Sequence, residues 1–539
     1  MFIDILKTYD LMVIWHLFDR PSVSKNILLI FVVLSPIYWS WWIWRFYLSR
    51  ALFPHEPDEL PYYIPGVVLG HAISFFRDSH GTLTRAREHF KNVREPFAIT
   101  VAGTKIYIIT SPKDAASAYR NTTSLTFDDY IRDTMHIFGG SSQAIERMWR
   151  TPGIDSPAAI NPNPAHRTLA HLCEEFYRQQ LHPGDKLENL QKKFLQIIDD
   201  SLSYDFISDN AVLSSTPTEK TVSLLGWCRQ VLLDAATRSF FGDRLLEIQP
   251  DLFKNFFDFD DNSWQLTYKL PSIFCKDMLA AKRTSIDALQ QYFLLPREDR
   301  KGEAWLVRNL EAEMRNVGIG EADIAAFVMM IYWVINGNTY KLCFWILSYT
   351  LNNPQILQQL RNETAPTITS QGVNLNHLLN DCPYLDSVYN ETLRITASSS
   401  SVRTVTAPTQ MHGKTLSPGK VVLIPCRQIH FDQTAFGTDA FLFKADRFLK
   451  DQDLSRNPSF KPFGGGTTYC PGRFLAKREV VTFIALFLHR FDIGLVPLQT
   501  KDGSRSPAFP KIEEMKPCLG IMGPAKGEDI KLSVRPRKS

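Results

Sequence analysis

The sequence predicts a mainly α-helical protein with a small β region, built as a single large domain behind an N-terminal transmembrane helix. Three observations predict it. Apolar residues recur at helical spacing over several long stretches, alternating β-branched segments are few and short, and one uncharged stretch near the start is long enough to cross a bilayer. A chain of 539 residues, 44% hydrophobic and 22% charged, can bury a large core and has the composition of neither a disordered nor a multi-spanning protein. Its formal charge is only +4, with Lys and Arg scattered, which excludes nucleic acid as the implied partner. Eight cysteines without a CxxC pair point to a reducing compartment rather than a disulfide framework.

The N-terminal helix is read from Ile27 to Trp44 (ILLIFVVLSPIYWSWWIW), 18 residues without a charge. At about 1.5 Å per residue they reach about 27 Å across a hydrocarbon core of about 30 Å. Trp41, Trp42, Trp44 and Tyr47, with Arg45 and Arg50, form an aromatic belt followed by positive charge, which puts the rest of the chain on the cytosolic side. The expected layout is 1–26 as a lumenal flank, 27–47 as the membrane anchor, 48–66 as a hinge stiffened by Pro54, Pro57, Pro61 and Pro65, and 67–539 as the globular domain. A cleaved signal peptide is the competing reading, but the stretch is long for one and lacks a small-x-small site after it.

Within the domain, Phe97 to Thr110 alternates about Ala102-Gly103-Thr104 and reads as a hairpin, and a second strand group runs from Val402 to Pro425. Helical patterns cover Leu187 to Leu202, Leu224 to Phe241, Lys276 to Phe293, Glu321 to Leu351 and Tyr384 to Thr396. Ser124 to His166 shows little period and many Gly, Pro, Ser and Asn, and is expected to be a long functional loop.

The segment FGGGTTYCPGR, Phe463 to Arg473, carries the chemistry. Gly464, Gly465 and Gly466 let a loop fold tightly against a flat partner, and Cys470 stands at the start of a helix that is apolar nearly all round from Val480, so it is deeply buried. The positive end of that helix favours a thiolate. An FxxGxxxCxG string before a buried helix resembles the haem-binding loop of the cytochromes P450, matched here at Phe463, Gly466, Cys470 and Gly472. The resemblance implies haem b (iron protoporphyrin IX) with Cys470 as its axial iron ligand. It also implies the cytochrome P450 fold.

Glu391 and Arg394 stand at i and i+3 on one helix face, and Ala445-Asp446-Arg447-Phe448 follows. Order and spacing are similar to the family's ExxR and PERF elements, which implies a buried network of Glu391, Arg394 and Arg447 fixing the haem loop. Ala445 and Asp446 replace the usual Pro and Glu. Arg403, in SSSSVRTV, matches an Arg that the family uses on a haem propionate. The usual second propionate ligand is replaced by Thr468, which leaves His166 or Arg167 as candidates for that charge.

Ile331 to Leu351 resembles the family's helix across the distal haem face, where an acid and an alcohol deliver protons to dioxygen. Counted back from Asn353-Pro354 without a gap, those positions fall on Gly337 and Asn338; a shift of one residue makes them Asn338 and Thr339. The expectation is that Asn338, which can donate and accept at once, takes over, with Thr339 as the alternative. Gly337-Asn338, Phe344-Trp345 and Thr468 together look like the branch that holds the sterol 7α- and 12α-hydroxylases and prostacyclin synthase.

The resemblance therefore implies a monooxygenase that inserts one atom of O2 into a lipophilic substrate, using electrons from an NADPH-cytochrome P450 reductase at the endoplasmic reticulum membrane. The substrate expected is a terpenoid, polyketide or alkaloid intermediate of fungal secondary metabolism. Pocket candidates are the 124–166 segment, Asn336 to Thr339, Ala397 to Val402 and the turn Leu519-Gly520-Ile521-Met522. Two alternatives stay open: a haem-thiolate isomerase or dehydratase that needs no reductase, and a non-catalytic haem sensor.

Overall fold

The computed structural model describes residues 21–44, 48, 52, 70–101, 103–154, 156–369, 372–499, 505–506 and 509–537. Helices dominate and the sheets are small, as the periodicities predict. Seven helices position the site: α1 (Leu224–Phe241), α2 (Leu252–Asp260), α3 (Lys276–Leu294), α4 (Glu321–Asn336), α5 (Thr339–Leu351), α6 (Pro383–Thr396) and α7 (Arg473–Arg490). Five strands form one sheet: β1 (Phe97–Val101), β2 (Thr104–Ile108), β3 (Leu125–Thr126), β4 (Ser400–Val405) and β5 (Val421–Pro425), in the order β1-β2-β5-β4-β3. β1 and β2 are the expected hairpin, with Phe97 opposite Ile108 and Val101 opposite Thr104. β5 runs parallel to β2 and antiparallel to β4, so the Val402–Pro425 strand group joins the N-terminal hairpin in one sheet.

The main core is helical. α7 is buried on every face from Glu479 to Leu488, and α5 from Leu342 to Ser348, which is why both sequences lack a polar stripe. The expected single helix from Glu321 to Leu351 is two, α4 and α5, interrupted at Gly337-Asn338. Asn338 leaves helical geometry at φ −125°. Asp260, at the end of α2, accepts hydrogen bonds from Trp333 Nε1, Tyr340 Oη and Lys341 Nζ, each at 2.8 Å, and so clamps both sides of the break. A Cβ at Gly337 would stand 3.2 Å from Asp260 Oδ1, so glycine suits this close approach.

The 124–166 segment is not one long loop. It holds a helix at Asp128–Phe138 and another at Ser142–Trp149. Asp128 and Asp129 suit the first turn of the former, Met135 and Phe138 point inward, and Gly139 ends it at φ 111°. Ser141 caps the next helix by accepting from Ala144 N–H. The abundant Gly and Ser that suggested a loop are helix punctuation. Only the stretch after Trp149 lacks a helix among its described residues, and Glu313, 1% exposed, holds it by accepting from the backbone N–H groups of Ile160 and Asn161.

At the N-terminus a helix spans Pro21–Ile43. Val32, Val33, Leu34 and Ile37 are exposed on it, whereas Trp42 packs with Ala98, Tyr107 and Ile109 against the sheet. Among the described residues no helix is long and apolar enough to cross a membrane. Residues 1–20 of the flank, 45–47 of the anchor and 53–66 of the hinge lie outside the described residues.

Candidate functional site

Cys470 lies two residues before Gly472, the residue that caps α7. The backbone N–H groups of Gly472 and Arg473 favour its thiolate, as expected where a helix presents unpaired donors. Burial nonetheless pushes the thiol above its usual pKa; the N–H groups and the Arg473 charge oppose this without cancelling it. The loop is closed by Cys470 N–H donating to Phe463 O at 3.1 Å. Arg473 reaches back to Cys470 O at 2.7 Å and stacks over Tyr469 and Phe474, with centroid distances of 4.4 and 4.2 Å.

The glycines have a particular neighbour. A Cβ on Gly465 would lie 2.9 Å from the Tyr119 ring, and one on Gly466 would lie 2.8 Å from Tyr119 O. Gly464 and Gly466 also hold φ of +75° and +65°. Tyr119 is fixed in turn by Ser401 Oγ at 2.9 Å, so β4 and the Cys470 loop are joined through its ring.

Arg403 on β4 is 3% exposed and donates to Thr468 Oγ1 at 2.7 Å, two residues before Cys470. It also donates to Val402 O, with the rings of Tyr119 and Phe127 beside it, and no carboxylate pairs with it among the described residues. A buried guanidinium without an anion is costly. At the mouth of the Cys470 loop this one fits a bound carboxylate such as a haem propionate, and the thiol fits the iron, so the residues present suit haem. His166 and Arg167 are exposed, and Arg167 faces Glu175 at 4.0 Å, so neither is brought to this charge.

Glu391, Arg394 and Arg447 meet. Arg394 donates to both Glu391 oxygens at 2.7 and 2.8 Å, and Arg447 Nε donates to Oε1 at 3.0 Å. Glu391 and Arg394 are 0% exposed. Spare donors are used as well: Arg394 reaches His430 O and Ala440 O, and Arg447 reaches Asp439 Oδ1. His430 carries the network to the Cys470 loop. Its Nε2 accepts from Lys461 N–H at 2.9 Å, so Nδ1 bears the proton toward Arg394 O at 3.2 Å. Burial lowers its pKa to about 3, and the ring is neutral.

Three of the four pocket candidates touch directly. Asn338 Oδ1 accepts from Ile521 N–H at 2.8 Å, Ile521 bridges Ala397, and Ser398 N–H donates to Gly520 O. The fourth adjoins them, since Phe138 packs its ring on Trp333 of α4 at 5.7 Å. Along α4, Met330, Ile331 and Val334 form a partly exposed apolar stripe after the buried run 324–329, and Val334 is 60% exposed. Asn338 continues that stripe. Thr339 faces Glu479 of α7 instead, where its hydroxyl favours the ionised carboxylate.

Glu479 escaped the sequence reading. It is 5% exposed, and burial raises its carboxyl to about 8 while the Thr339 bond pulls it down, so it is mostly protonated at neutral pH. The one signal was a lone Glu at the head of an apolar helix, which does not by itself name a partner.

Among known proteins, the cytochrome P450 family model matches residues 216–512. The chain is similar to the cytochrome P450 monooxygenase poxD of Penicillium oxalicum, 26% identical across 84% of this chain and 90% of the relative. It is also similar to calL of Penicillium decumbens, 25% identical across 88% and 92%. The human 7-alpha-hydroxycholest-4-en-3-one 12-alpha-hydroxylase is 24% identical across 87% and 91%. The match covers more than half of the chain, and it spans the long broken helix, the Glu391 network and the Cys470 loop: the chain belongs to the cytochrome P450 family and is a monooxygenase.

Proposed function

We propose that Cys470 would hold the iron of haem b, and that the enzyme oxidises a lipophilic small molecule with electrons from an NADPH-cytochrome P450 reductase. The observation that carries this reading is the unpaired, buried Arg403 beside the Cys470 loop, because it calls for an anion in the place where a haem carboxylate would lie. When bound, haem supplies the activation of dioxygen and the insertion of one oxygen atom into a C–H or C=C bond. The chain's own residues supply the rest. Cys470, as its thiolate, would hold the iron. Phe463, Gly466 and Gly472 shape the loop around that sulfur, Thr468 stands in for the usual second cation, and Glu391, Arg394 and Arg447 hold the loop from behind through His430. The Met330, Ile331 and Val334 stripe excludes water and favours an apolar substrate. At the helix break the Thr339 hydroxyl faces the protonated Glu479, whereas the Asn338 oxygen is already bonded to Ile521.

A sterol 12-alpha-hydroxylase and fungal monooxygenases among the relatives support a lipophilic substrate, which we read as a terpenoid, polyketide or alkaloid intermediate of fungal secondary metabolism. We place the enzyme at the endoplasmic reticulum membrane, held by the 27–47 segment with its domain facing the cytosol. Turnover tests the reading: membranes containing the enzyme and a reductase should convert substrate only with NADPH and should carry one atom of labelled dioxygen into the product. Conversion without NADPH or label uptake would replace it with the isomerase reading.

A further inference from the structure

We propose that Asn338 is a positioning residue whose amide ties the broken middle of the long helix to the C-terminal turn Gly520–Met522 and thereby fixes one wall of the substrate space. What that space holds rests on the haem-monooxygenase reading above; the tie itself does not.

An Asn that precedes a helix ordinarily satisfies a backbone N–H of its own first turn. Asn338 occupies that position for α5 and makes no such bond. Its Oδ1 instead accepts from Ile521 N–H at 2.8 Å, 183 residues along the chain. Ile521 is 5% exposed, so without the amide this N–H is a buried donor with no water to replace its partner. The neighbouring polar groups of the turn are committed elsewhere. Gly520 O accepts from Ser398 N–H at 2.8 Å, Met522 N–H donates to Thr396 O at 2.9 Å, and Met522 O accepts from Trp345 Nε1 at 2.6 Å. Asn338 completes the set.

The approach is close enough to dictate the residue opposite. A Cβ on Gly520 would sit 1.9 Å from Asn338 Oδ1 and 2.8 Å from its Cγ, so any side chain there evicts the amide. The turn also bridges Ala397, where the partly exposed stretch Ser398–Val402 begins. Val334, one helical turn before Asn338 on the same face, is 60% exposed. One amide therefore joins three segments that each carry partly exposed residues. Releasing it moves the wall formed by the turn, which changes the fit of a bulky ligand and leaves the iron ligand untouched.

The test uses full-length holoprotein, two probes that coordinate haem iron (imidazole and the bulky clotrimazole), and hydrogen exchange of a peptide containing Ile521. Asn338→Ala should speed exchange of the Ile521 amide by about tenfold or more and should change the clotrimazole-to-imidazole affinity ratio severalfold. Gly520→Ala, which displaces the amide without altering it, should do the same and carries the test if Asn338→Ala does not accumulate. Asn338→Asp keeps an oxygen acceptor and should restore both readings toward the parent. A role confined to proton delivery moves neither quantity, so parent-like exchange and an unchanged ratio in both Ala variants would overturn the proposal. If the parent shows no spectral shift with either azole, the haem reading fails, and Ile521 exchange alone decides the tie.

Discussion

Glu479 sits where its carboxyl keeps its proton, between apolar neighbours on α7 and the hydroxyl of Thr339. Its folded pKa, about 8, lies above the ordinary value of 4.5. Below the ordinary value the group is neutral in both the folded and unfolded states and costs nothing. Between the two values only the unfolded chain ionises, so stability falls as pH rises, by at most about 1.4 kcal/mol per unit. Glu479→Gln removes that dependence. Denaturation of both proteins across this range should show the Gln variant gaining on the parent as pH rises, and parallel curves would mean that Glu479 is ionised in the fold. Arg394 lends itself to a second test. Arg394→Ala leaves Glu391 buried without its main partner, a loss of roughly 3 to 5 kcal/mol, and folded haem protein should not accumulate; normal yield would show that the network is dispensable. Glu391, Arg394, Arg447 and Cys470 were legible in the sequence because short local strings mark them. Glu479 and the Asn338–Ile521 bond were not, because their partners lie far along the chain and only the fold brings them together.

At the scale of elements, periodicity located helices well where one face or the whole surface is apolar, as in α1, α3 and α6. It missed two things with physical causes. α4 and α5 read as one helix because apolar residues continue across the break, while the interruption is enforced from outside by Asp260 and Ile521. The helices at Asp128–Phe138 and Ser142–Trp149 read as loop because each is short and flanked by glycine or serine. The Cys470 loop gives a prediction at this scale. Gly466→Ala adds a Cβ 2.8 Å from a backbone oxygen and keeps a positive φ, whereas Gly103→Ala meets only the φ cost, with nothing within 4 Å. The Gly466 variant should therefore lose more than about 1 kcal/mol beyond the Gly103 variant, together with haem occupancy. Equal thermal denaturation and equal haem content would mean that the loop can slide off Tyr119.

Over the whole molecule, the domain is one helical body with a sheet at its side, and Cys470 lies where the β4 strand, the α6 network and α7 converge. Among its described side chains, the N-terminal helix meets the sheet region through Trp42 and Tyr38. Removing residues 1–50 should therefore shift much of the protein from the membrane fraction to the supernatant with haem still bound, and a truncated chain that never folds would show that the helix is part of the domain. The central claim is that Cys470 ligates the iron, and the ferrous–carbon monoxide difference spectrum tests it most directly. In the parent and in Cys426→Ser, whose thiol is buried in the sheet region, the red-shifted band of a thiolate-ligated haem should appear. In Cys470→Ser it should be absent, because a neutral hydroxyl is a poor ligand for this iron; the same band surviving in Cys470→Ser would contradict the account.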